Sequence, residues 1–150
     1  MQKIQKVMLA LSVIGLVTAV YLVLVHYTEI PLACSTSGLI NCNSVLNSTY
    51  GYLLGIPVAI YGVVFFIVEI VILLLTFEGK TSIVALGRDI RILYNTVGLV
   101  FVFYLLYAEY SVGHICEYCT VVHIVTVLLF VLSFIRINKK PNYYSTPNPY

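Results

Sequence analysis

Charge is what this chain has least of. Of 150 residues only 9% are Asp, Glu, Lys or Arg, 61% are hydrophobic, and mean hydropathy is +1.00. So few ionisable groups cannot wet the surface of a soluble globule, which excludes that class and leaves an integral membrane protein. A small-x-small cleavage site after the first apolar run is also missing, and that run is longer than a signal-peptide core, so it is expected to stay as a helix. "PLAC" before Cys34 imitates a lipoprotein processing site, but Pro31 and the distance from the N-terminus argue against that reading. Cysteine is scarce as well, at four residues, which makes its placement informative.

What is present is apolar length. Runs at 7–27, 56–77, 92–110 and 119–137 each approach the ~20 residues that carry a helix across ~30 Å of hydrocarbon. The expectation is an all-α integral membrane fold, a four-transmembrane-helix bundle formed by a single domain over residues 1–140. The Pro-rich polar tail 141–150 is expected to be disordered and cytoplasmic.

All eight basic residues fall on one side of that arrangement: Lys3 and Lys6 before the first run, Lys80, Arg88 and Arg91 between the second and third, and Arg136, Lys139 and Lys140 after the fourth. Short cytoplasmic loops carry the Lys/Arg excess, so both termini and the loop 78–91 are expected on the cytoplasmic side of the cell membrane. The net charge of +2 is read as this topology signal and not as a nucleic-acid surface.

The four cysteines lie on the opposite side, Cys34 and Cys42 in the first outer loop and Cys116 and Cys119 where the fourth run begins. An extracytoplasmic setting permits disulfides, and four cysteines allow three pairings. In the loop 29–55, Leu46, Tyr50, Leu53 and Leu54 recur at helical spacing among polar residues, which predicts a short interfacial helix covering the outward mouth of the bundle, with Gly55 and Pro57 marking the entry to the second helix. Asn47-Ser48-Thr49 fits a glycosylation sequon, awkwardly close to that cover.

In "HICEYCTVVH" (residues 114–123), Cys-x-x-Cys at a helix start puts a thiol beside unpaired N–H groups and the positive end of the helix dipole, both of which favour thiolate. Taken as a swinging pair in the loop and a fixed pair at the membrane lip, the cysteines make a two-stage thiol–disulfide relay. Cys119 lies one turn deeper, facing apolar residues, so a lipid-soluble acceptor such as a quinone is implied. His123, four residues on, shares that face and can hydrogen-bond a quinone oxygen or shuttle a proton, the alternative being ordinary helix packing. Glu69, in mid-helix, is expected to face the bundle in a structural bond or a proton path. Most of the thirteen tyrosines are assigned to the interfacial belt.

"CSTSGLINCNSVLNSTYGYLLGIPVAIYG" (Cys34 to Gly62), together with "CEYC" (Cys116 to Cys119), resembles the vitamin K epoxide reductase family, more closely its prokaryotic quinone-linked, disulfide-generating members. The shared pattern is the loop pair, Ser48, Gly55, Pro57, Gly62 and the final Cys-x-x-Cys. The resemblance implies a four-helix bundle around a quinone, such as menaquinone or ubiquinone. It implies that Cys34 and Cys42 exchange with a thioredoxin-fold partner on the extracytoplasmic side, that Cys42 passes electrons to Cys116, and that Cys119 reduces the quinone, with Ser48, Tyr50 and His123 around the cofactor. Two departures weigh against epoxide reduction: the second helix has no asparagine, and His123 stands where animal members have tyrosine.

Other readings are distinguishable. The unrelated four-helix disulfide oxidase of bacteria carries its Cys-x-x-Cys in the first outer loop, the reverse of the order here. A metal-binding or transport module would use His114, Cys116, Cys119 and His123, but helix geometry does not readily bring all four together, and Cys34 and Cys42 are left without a role. A structural disulfide clamp predicts that no quinone is consumed.

Overall fold

The computed structural model describes residues 2–28, 34, 38–77 and 81–138. The described residues form five α-helices, α1 (Gln2–Thr28), α2 (Cys42–Leu46), α3 (Val58–Phe77), α4 (Thr81–Val112) and α5 (Glu117–Asn138), with a two-stranded hairpin, β1 (Tyr52–Leu53) and β2 (Ile56–Pro57), before α3. Four of the helices are long and apolar enough to cross a bilayer, over Lys3–Thr28, Val58–Thr76, Ile90–Val112 and Glu117–Ile135. The chain is therefore an all-α multi-pass membrane protein.

The bundle is turned inside out relative to a soluble one. Val17, Val64, Val100, Phe103 and Ile124 are exposed, as suits a lipid solvent that does not penalise apolar surface. Helix association then depends on close packing. Where α1 meets α3, Gly15 lies against the buried ring of Phe66, and a side chain at Gly62 would touch Ala19. Met8, Ala19, Phe66, Leu73, Val125 and Leu129 form the central apolar core, drawn from α1, α3 and α5.

Buried polar groups gather in the half of the bundle away from the cysteines. Asn95 Nδ2 donates to Glu69 Oε2 at 3.2 Å and to the Arg91 carbonyl at 2.9 Å, and lies 3.5 Å from Ser133 Oγ. Glu69 and Asn95 are fully buried, and Arg91 is only 2% exposed beside them. The expected loop 78–91 is thus corrected: α4 begins at Thr81 and Arg91 points into the bundle. Charge marks the end of the hydrocarbon, but a helix satisfies its own backbone and can run on past it. The tail 141–150, with Lys80, Lys139 and Lys140, lies outside the described residues.

The outer cover is more broken than a single amphipathic helix. Helix α2 stands at its start, capped by Asn41, whose side chain accepts from the Ser44 N–H at 3.1 Å. It ends at Leu46, before three of the four apolar residues read as its face. A 3-10 turn (Thr49–Gly51) and the hairpin follow. Leu54 and Gly55 form the hairpin tip with φ of 54° and 79°, the left-handed pair that a two-residue turn requires. Leu54, read from the sequence as part of the interfacial helix's apolar spacing, is 92% exposed at the hairpin tip.

Candidate functional site

All four cysteines meet at one end of the bundle. Cys34 and Cys42 form a disulfide with Cα atoms 6.3 Å apart. Cys42 and Cys116, both fully buried, belong to one packed cluster with Val45, and Cys34, Cys119 and Tyr118 lie against it. Cys116 and Cys119 are free thiols.

The backbone explains why these elements meet. Helix α4 ends at Gly113 (φ 74°), whose N–H closes on the Glu109 carbonyl at 3.0 Å, a left-handed helix stop that sends the chain back toward the outer loop. The next residues pair with that loop: Ile115 N–H donates to the Leu39 carbonyl at 2.8 Å, and Asn41 N–H to the Ile115 carbonyl at 3.1 Å. This short parallel bridge sets Asn41 and Cys42 beside Cys116.

Cys116 is the N-cap of α5. Its Sγ accepts the Cys119 N–H at 3.4 Å, and its carbonyl accepts the Thr120 N–H at 2.9 Å. Sulfur stands where a Ser or Asp oxygen usually caps a helix, at the positive end of the dipole. The Cys119 thiol, hydrogen-bonded to Cys116, pulls the Cys116 thiol below the ordinary cysteine value. Burial works against this, as does the charge of Glu109, while backbone donors assist it. Cys116 thereby ionises more readily than an ordinary cysteine.

Cys119 opens on the other side into a cavity of about 600 Å³ between α3, α4 and α5, whose walls include Tyr61, Phe65, Tyr94, Phe101 and Tyr104. The hydroxyls in those walls are already engaged by main-chain carbonyls: Tyr61 donates to Leu53 at 3.1 Å, Tyr94 to Phe65 at 3.0 Å, Tyr104 to Tyr50 at 3.4 Å and Thr126 to Val122 at 2.8 Å. What remains facing the space is hydrocarbon, aromatic faces and one thiol. Such walls suit a flat, uncharged, largely apolar ring and reject an ion.

The other residues read from the sequence sit around this chamber. Cys119, Val122 and Thr126 line it, whereas His123 does not; four residues along a helix leave it about 40° round from Cys119. His123 is buried, and its Nε2 has no hydrogen-bond partner among the described residues. Ser48 shapes the cover: its Oγ donates to the Val45 carbonyl at 2.7 Å and accepts the Gly51 N–H at 3.2 Å. The Tyr50 ring meets Tyr107 edge-on at 6.1 Å, outside the cavity wall. Among the described residues no three His, Cys, Asp or Glu side chains converge as a metal site, so the set His114, Cys116, Cys119 and His123 has no geometric support.

Sequence reasoning missed Glu109, which is 7% exposed and whose Oε1 accepts the Cys116 N–H at 3.2 Å. The available signal was a lone carboxylate within an apolar span, a feature that marks function by default in a membrane.

A membrane bundle that brings a loop disulfide against a helix-capping dithiol defines a thiol–disulfide oxidoreductase. Residues 6–134 match the vitamin K epoxide reductase family, and the chain belongs to it. No individual curated protein matches the chain.

Proposed function

We propose that the protein reoxidises a thioredoxin-fold partner on the extracytoplasmic side of the cell membrane and passes the electrons to a membrane quinone, so supporting disulfide formation outside the cell. The observation that carries this reading is the gathering of all four cysteines: the Cys34–Cys42 disulfide, Cys42 and Cys116 in one buried cluster, Cys116 hydrogen-bonded to Cys119, and Cys119 in the cavity wall.

In the proposed sequence the partner dithiol reduces Cys34–Cys42 by exchange. The reduced loop pair then opens a Cys116–Cys119 disulfide, with Cys42 attacking Cys116, and recloses as Cys34–Cys42. The inner dithiol finally loses two electrons and two protons as its disulfide re-forms. A quinone supplies the capacity to take up both pairs, and its ring would lie among the aromatic faces beside Cys119. His123, with its unengaged buried nitrogen, would serve a ring oxygen after a small rotation. Ser48 and Tyr50 act from the cover, Ser48 by holding the 3-10 turn closed and Tyr50 by closing the seam with α4. The cytoplasmic location of both termini follows from the distribution of Lys and Arg.

The test is quinone absorbance followed with a small dithiol donor and, separately, with a reduced thioredoxin-fold protein. Cys119→Ala is expected to abolish quinone reduction with either donor. Cys34→Ala should spare the small-dithiol reaction and block the protein donor. Equal loss with both donors for Cys34→Ala would reject the relay order.

A further inference from the structure

We propose that Glu109 is the proton carrier of Cys116: it takes the thiol proton when Cys116 reacts as thiolate, returns it when Cys116 leaves as thiolate, and exchanges it with the outside through a cleft beside His114. This deepens the relay reading and rests on it.

Three observations converge. First, Glu109 is almost wholly buried at the outward end of α4, and its Oε1 is fixed on the main-chain N–H of Cys116, the residue whose sulfur reacts. A carboxylate held on a cysteine's own nitrogen lies within one side chain's length of its sulfur, directly or across one water. Second, an outer cleft of about 410 Å³ reaches this carboxylate, lined by Leu39, Glu109, Tyr110, Gly113 and His114. The buried Nδ1 of His114 has no hydrogen-bond partner among the described residues. Third, the described lining of the chamber on the other side of Cys119 includes no carboxylate, imidazole or amine, and its tyrosine hydroxyls (Tyr61, Tyr94, Tyr104) are already donated to main-chain carbonyls. A proton lost from Cys116 toward the outside therefore has a polar route through Glu109 and an apolar wall elsewhere.

The balance is simple. When the inner disulfide forms, Cys116–SH and Glu109–COO⁻ give Cys116–S⁻ and Glu109–COOH. The thiolate closes on the Cys119 sulfur as two electrons and the Cys119 proton leave for the quinone, and the quinol's second proton is drawn from water, matching the one Glu109 can release outside. When the loop pair reduces it again, Cys34 attacks Cys42 of the mixed disulfide, Cys116 leaves as thiolate, and Glu109–COOH protonates it. The titratable groups around the carboxylate are Cys116 and Cys119, Tyr110 from its own helix and His114 from the turn. Cys42, on α2 against the same cluster, is held in its disulfide.

Glu109→Gln keeps an acceptor for the Cys116 N–H and removes the proton. The Cys116 thiolate is titrated by its ultraviolet absorbance in a Cys119→Ser background with Cys34–Cys42 intact, against a Cys116→Ala control, and turnover is measured with Cys119 present. Glu109→Gln should lower the thiolate midpoint by roughly half a unit to one unit, because a negative charge beside the sulfur is gone. It should also slow turnover about 100-fold and erase one limb of the pH–rate profile. In the unsubstituted carboxyl background the titration should run in two steps, since thiol and carboxyl share protons. Turnover undiminished by Glu109→Gln overturns the proposal, as does slowed turnover with an unmoved midpoint, or a single-step titration with Glu109 present. A native chain that reduces no quinone removes the quinone reading alone, because the thiolate titration needs no acceptor.

Discussion

Ile40 and Ile115 are bridged main chain to main chain, the Ile115 N–H donating to Leu39 and the Ile115 carbonyl accepting from Asn41. The loop that carries one redox pair is thereby docked on the turn that carries the other.

Ile115→Pro removes the N–H from that bridge. Leaving the Leu39 carbonyl without a donor costs about 1–3 kcal/mol, so docking of the loop should weaken by roughly tenfold or more. Turnover with a protein donor should fall accordingly, while turnover with a small dithiol, which reaches the inner pair without the loop, should hold. Rapid-mixing measurements with the two donors separate these outcomes.

Cys119→Ala should raise the pH at which Cys116 becomes thiolate, since the Cys119 hydrogen bond is the largest cause of its lowered value. The sign follows directly: without a donor to the charged form, less thiolate exists at a given pH. Alkylation of Cys116 followed against pH, with and without the substitution, should show the midpoint move up toward about 8.5, the ordinary cysteine value.

Gly98→Ala should weaken quinone use without touching the thiols. An added Cβ would lie 2.6 Å from Phe65 Cε2 and Cζ, and Phe65 is stacked on Tyr94 at 4.9 Å in the cavity wall. Overpacking of this kind costs about 1–3 kcal/mol and is relieved by pushing the ring into the open space. The quinone KM should rise about tenfold, and Cys116 alkylation should stay unchanged.

Asn95→Leu should destabilise the bundle by about 1–3 kcal/mol by stranding the buried Glu69 carboxylate. Glu69→Leu combined with Asn95→Leu should cost more than the single change, because the buried Arg91 guanidinium then loses the carboxylate beside it. Thermal unfolding in detergent gives the comparison; a double variant no weaker than the single one would show that Arg91 does not depend on Glu69.

Much of the architecture was legible because a bilayer imposes one length on every spanning helix: each of the four runs coincides with one observed helix, the second starting two residues before α3, although α1 and α4 begin well ahead of their runs. The cysteines were legible for a related reason: they stand where apolar runs begin and where every basic residue is absent. The hairpin at Tyr52–Pro57 was hidden because a leucine occupies the first left-handed position of its tip, where Asn or Gly would have announced a turn. Arg91 was read as loop because charge was taken for water contact, and its partners lie on other helices. The Ile40–Ile115 bridge is made by main-chain atoms, which every sequence possesses equally.

With its loop pair closed and its inner pair open, the molecule is half loaded: it can discharge into the lipid phase before meeting another donor, or accept a second delivery once it has done so. Each half-reaction under the proposed relay then has its own doorway, and the two clients need never be present together. Double-reciprocal plots against either client should accordingly run parallel as the other is varied, the kinetic mark of a carrier that empties before it refills.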